Sequence, residues 1–314
     1  MTPSSPQPRR IPAWLAYGLL GILSAAYAAC TLLSPIGNRI NTYGLDHDHI
    51  RLIQVTLVLP IIGVWFIALW GSLRFKNYAV GISEGADGRA LNTVANGLLT
   101  LVSSLAVNGV VQAVGKLMVP RFGLEATTII TNYVSLGLSL IAFVIICRGA
   151  WQLAALVGYR GVRRNQFWGF LVLAVMGVLY AWLLAHNPDR LTSANPDQIT
   201  PYYLSDWLLL TTIVIPYLVL WNLGLTAVAA VRSYQCHAKG IIYRNALGRL
   251  AAGLFTIIMA LLLIQLTDAI GPSLVRLGLS SILFLIYLLI FVYAFGHVLV
   301  ALGARRLAKI EEVR

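Results

Sequence analysis

A stripe of polar side chains runs through one apolar stretch of the chain: Asn92, Asn96, Thr100, Ser104, Asn108, Gln112 and Lys116 recur every fourth residue. A four-residue step overshoots a helical turn by about 40°, so the stripe winds slowly around its helix. Amides turned towards lipid would be unsatisfied and costly, so the stripe must face protein or water. Two readings fit. In one, Asn and Gln bond across to neighbouring helices and fasten them, at about 0.6–2 kcal/mol each. In the other, Asn108 and Gln112 join Gln265 and Asp268 around an outward-facing polar cavity that binds or passes a small solute. Lys116 and Asp268 lie near the outer boundary, where they also suit snorkelling anchors.

Asp46-His47-Asp48-His49 is the one close run of metal-ligand side chains, with His186 and Asp189 in a later loop. Imidazole and carboxylate suit divalent metals. His47 and His49, however, point to different sides of a helix or a turn, and no fixed ligand spacing is met. Asp46 or Asp48 reads better as the N-cap of the stretch that follows. Other chemistries lack their residues. Lys76, Lys116, Lys239 and Lys309 all fall at or beyond the ends of apolar stretches, which disfavours a buried Schiff-base lysine. Only His297 lies well inside a stretch, short of the pair that haem between helices needs. The H-E-x-x-H, G-x-S-x-G, G-x4-G-K-[ST] and C-x-x-C patterns are not found, and Cys30, Cys147 and Cys236 fall at different depths. The reading is therefore non-enzymatic, with no cofactor.

These residues sit in a chain of 314 with 59% hydrophobic and 11% charged residues and a mean hydropathy of +0.79. Soluble chains carry about a quarter charged residues, so lipid is the solvent here. Crossing the hydrocarbon takes about 20 apolar residues in a helix. Eight stretches reach or approach that length: 13–33, 52–73, 91–115, 128–150, 167–185, 207–231, 248–270 and 279–303. The net charge of +12 is distributed for membrane orientation rather than for nucleic acid. With both ends in the cytoplasm, 17 of the 23 Lys and Arg fall inside, among them Arg9, Arg10, Arg163, Arg164, Arg305 and Arg306. Trp14, Trp151, Trp168 and Trp207 near the stretch ends form an interfacial belt.

The chain also reads as written twice. Thr56-x-Val58-x-Pro60-x4-Trp65-x3-Leu69 returns as Thr212-x-Val214-x-Pro216-x4-Trp221-x3-Leu225, 156 residues on. Extended from Thr56 to Val102, the same shift gives 12 identities in 47 positions, where composition alone gives roughly one in ten. In the last stretch of each half, Arg121-x-Gly123-Leu124 matches Arg276-x-Gly278-Leu279, and the shift slips to 155. The stripe is not duplicated: Asn92, Asn96, Asn108 and Gln112 correspond to Gly248, Ala252, Ile264 and Asp268. Thr56 and Thr212 each stand four residues before a proline. Proline removes a helix donor at that carbonyl, and a threonine hydroxyl bonding back to its own turn favours a bend. Thr56, Pro60, Thr212 and Pro216 are thus a hinge pair, or kinks that only shape packing.

Tyr203-Leu-Ser-Asp-Trp207-Leu-Leu-Leu-Thr-Thr-Ile-Val-Ile-Pro216, with Trp221-Asn-Leu-Gly224 and Gly240-Ile-Ile-Tyr-Arg244, resembles segments of uncharacterised multi-span bacterial membrane proteins. The resemblance covers under a quarter of the chain and implies no activity. The expected fold is an all-α membrane protein with eight transmembrane helices as two parallel four-helix repeats. Residues 1–12 form a disordered cytoplasmic tail, 13–157 the first unit, 158–166 a basic linker, 167–304 the second unit and 305–314 a basic tail. The partner is the lipid bilayer of an inner membrane, with room for a homo-oligomer or membrane partner. Solute transport or binding leads, and a scaffold or partner-binding subunit is the alternative.

Overall fold

The computed structural model describes residues 12–33, 47–81, 85–122, 124–158, 171, 174, 175, 178, 215–238, 241–275 and 279–311. Every regular element among them is helical: α1 (Ala13–Leu33), α2 (His47–Gly81), α3 (Ala86–Phe122), α4 (Leu124–Leu156), α5 (Ile215–His237), α6 (Ile241–Val275) and α7 (Leu279–Glu311). All seven are long and apolar enough to cross a membrane. Their outward faces are apolar too, with Trp14, Leu59, Phe284 and Phe291 each at least 65% exposed, a surface suited to lipid rather than water. The protein is a multi-pass membrane protein. The fifth predicted stretch, 167–185, lies largely outside the described residues, as does the loop with His186 and Asp189.

Several helices outrun their apolar windows. α2 continues to Gly81 and α3 begins at Ala86, so Lys76 and Asn92 lie on helices rather than at their frayed ends. A helix can extend past its apolar run where its polar side chains find partners on a neighbour, and these two do.

The tightest pairings are α3 with α4 and α6 with α7, each joined by a very short connection. Glycine allows the approach. A Cβ on Gly97 would lie 2.7 Å from the Ile146 amide nitrogen and 3.1 Å from the Ala142 carbonyl. One on Gly149 would lie 2.8 Å from the Ala90 carbonyl. The later pair repeats this: a Cβ on Gly253 would lie 2.7 Å from the Gly296 carbonyl and 2.9 Å from the Val300 nitrogen, and one on Gly303 would lie 3.0 Å from the Ala246 carbonyl. Small residues that let backbones touch are the usual basis of helix association in lipid, where burial of apolar surface supplies little drive.

Burial follows the same correspondence. Ala90, Leu91, Val94, Ala95, Leu98, Leu101, Val102 and Ala106 of α3 are buried, and so are Ala246, Leu247, Leu250, Ala251, Leu254, Ile257, Ile258 and Leu262 of α6. That is the 156-residue shift throughout. For α4 against α7 the contacts fix the shift at 154, since Ala142, Ile146 and Gly149 map to Gly296, Val300 and Gly303. The residues leading into these two helices, at Arg121 and Arg276, match at 155. Between these hairpins, α2 packs on α7 and α4 on α5, α2 and α3 form one lateral pair and α5 and α6 another, and α1 lies across α2 and α3.

Gly97→Ala and Gly253→Ala each force backbone apart and should cost about 1–3 kcal/mol. Gly137→Ala, whose Cβ meets nothing within 4 Å, should be neutral or stabilising by about 0.5–1 kcal/mol. Unfolding of purified protein in mixed micelles checks this, and equal behaviour of the three variants would show that the close approach is not what holds the hairpins.

Candidate functional site

The polar stripe is divided between two neighbouring helices and its own backbone. At its lower end α2 presents Lys76, whose Nζ donates to Asn92 Oδ1 and Asn96 Oδ1, both at 2.5 Å. Asn92 and Asn96 are one turn apart on α3, so both amide oxygens converge on one ammonium and replace part of its water. In the middle, Thr100 Oγ1 donates to the Asn96 carbonyl at 2.9 Å and Ser104 Oγ to the Leu101 carbonyl at 2.8 Å. These hydroxyls satisfy themselves on their own helix. Higher up, Ser135 of α4 stands between the Asn108 amide and the Thr131 carbonyl, the latter at 2.6 Å. A serine has a single proton. Donated to Thr131, it leaves Ser135 to accept from Asn108, which requires the amide to present its NH2 group.

Of the four residues of the sequence-predicted cavity, Asn108 is thus engaged by α4, and Gln112 is half-buried one turn further along α3. Gln265 and Asp268 belong to α6, with side chains outside the described residues. His47 and His49 lie in the first turn of α2, with side chains likewise outside them. Among the described residues no three His, Cys, Asp or Glu side chains gather as metal ligands.

The hinge residues are half described. Thr56 Oγ1 donates back to the Leu52 carbonyl at 2.8 Å, as the spacing before Pro60 predicts. The Thr56 carbonyl, which Pro60 deprives of its helical donor, takes a bond from elsewhere: Tyr287 Oη of α7 donates to it at 3.1 Å. Pro216 lies in the first turn of α5, and Thr212 is outside the described residues.

Two further polar groups lie away from the stripe. Tyr243 of α6, Tyr234 of α5 and Asp87 of α3 are joined by side-chain hydrogen bonds. Tyr78 and Tyr234 stand 156 residues apart, and so do Asp87 and Tyr243. The shift gives the signal, but a carboxylate aligned with a phenol is no identity and is passed over. The second group is on α7. His297 is fully buried, and neither ring nitrogen finds a partner among the described residues. Its ring meets the edge of Tyr293 at 4.9 Å, and Gly71 of α2 packs against its backbone. By the 154-residue shift its counterpart is Phe143, which packs on Gly224 of α5.

No family model, no curated protein and no solved structure matches this chain. Its own geometry is therefore what bears on function.

Asn92→Leu with Asn96→Leu strips a half-buried ammonium of both partners and should destabilise by about 1.5–3 kcal/mol, the range for bonds to charged groups. Adding Lys76→Met should restore most of that loss. No rescue would mean that the amides act without the lysine. Tyr287→Phe should cost about 0.5–1.5 kcal/mol, and in a Pro60→Ala background, where α2 regains its own donor, the same change should cost less than half as much. Both cycles are read by unfolding in micelles.

Proposed function

We propose that this chain is a non-enzymatic scaffold or partner-binding subunit of the cell membrane, whose intramembrane polar side chains fasten its own helices. The observation that carries this reading is the contact of Ser135 with Asn108, in which a neighbouring helix takes up the amide that a solute cavity needs free. Lys76 tied by Asn92 and Asn96 and the Asp87–Tyr234–Tyr243 network support it, because each joins two or more helices. A catalytic set would leave reactive groups pointing at a common space.

The same proposal has eight spans in two parallel four-helix units. In favour are the matched buried faces of α3 and α6 and the matched glycine contacts of the two hairpins. The pairing of α2 with α7 and of α4 with α5 adds to this, since each joins the second helix of one unit to the fourth of the other. Charge favours the count as well. With residues 167–185 as a further span, both termini lie in the cytoplasm. Without it, Arg305 and Arg306 would end outside, against the positive-inside rule.

A thermal-shift screen of the purified protein against small solutes and divalent ions tests the function. On this reading no solute gives a stabilisation that depends on Asn108 or Gln112, while Asn108→Ala by itself lowers the melting temperature. A solute whose stabilisation disappears in both Asn108→Ala and Gln112→Ala would sink the scaffold reading and favour transport or binding.

A further inference from the structure

We infer that the groove between α5 and α6 binds an anionic phospholipid, with the phosphate on Arg232 and an acyl chain along Leu225, Val228 and Phe255. The groove is open, has a volume of about 410 Å³ and runs up α5 from Leu225 to His237. Twelve residues of helix are about 18 Å long, close to the ~15 Å that one leaflet contributes to the hydrocarbon. Its floor is apolar, with Phe255 45% exposed, and the described lining contains no carboxylate. Arg232 and His237 lie at the end where α5 terminates, which is headgroup depth, and His237 is bonded to the Ser233 carbonyl at 2.8 Å. Chain below and cation above is the pattern of an amphiphile carrying negative charge.

The comparison within the chain makes Arg232 specific. The cation 156 residues earlier is Lys76, whose ammonium is taken up by the amide oxygens of Asn92 and Asn96. The positions matching those amides beside Arg232 are Gly248 and Ala252. No hydrogen bond or ion pair holds Arg232 among the described residues. A guanidinium with no partner among the described residues has its fork of donors to offer a phosphate, which it can bind through two bonds at once.

The test uses the full chain, delipidated in detergent, and follows thermal unfolding on addition of phosphatidylglycerol, phosphatidylcholine with the same acyl chains, or inorganic phosphate. Phosphatidylglycerol is expected to raise the midpoint by about 5 °C or more at a hundredfold excess over its dissociation constant, with little effect from the other two. Arg232→Gln should remove that shift and Phe255→Ala should reduce it, while Arg305→Gln, which lies outside the groove, should leave it intact. An equal shift with phosphatidylcholine or with phosphate, or a full shift in Arg232→Gln, would overturn the proposal. So would efficient disulfide cross-linking of native Cys236 to Leu171→Cys or Val175→Cys, because the chain itself would then fill the groove.

Discussion

Contact between backbones at glycine is the constraint on which the rest of this structure depends. In lipid, leucine gains little by leaving the solvent for another leucine, so helices need van der Waals contact close enough to compensate for their lost freedom. Gly97 and Gly149 provide it for α3 and α4, and Gly253 and Gly303 for α6 and α7. Once these hairpins are drawn together, the depth at which each side chain meets its neighbour is set. Asn108 then faces Ser135, and Gly71 lies against the backbone of His297.

Much of this was legible in the sequence, and the illegible part has a physical cause. Apolar length gave the helices, because a backbone in lipid has few alternatives. The back-bond of Thr56 was legible because its partner is four residues away on the same helix. Tyr287 was not, since nothing local says that α7 passes the carbonyl that Pro60 frees. The extent of α2 is hidden for a similar reason: its apolar run ends near residue 73, but the helix continues to Gly81, and Lys76 on it bonds amides of α3. The duplicated pattern was clear in α2 and α3, where identities are dense. In the last helix the glycine contacts recur at a shift of 154, while the residues leading into it match at 155.

Positions related by the 156- and 154-residue shifts also differ in polarity. Lys76 is held by asparagines and Arg232 is not; Phe143 fills one junction with a hydrocarbon ring, and His297 fills the other with an imidazole. The packing frame is common to both, while the polar groups within it are distributed unequally.

The bond from Tyr287 to the Thr56 carbonyl has a consequence for how the molecule is made. A ribosome delivers α2 to the membrane long before it reaches residue 287. Through all of that elongation the Thr56 carbonyl lacks the phenol that donates to it in the finished fold. The bond that ties α7 to α2 at this turn is therefore among the last to form as the chain is made.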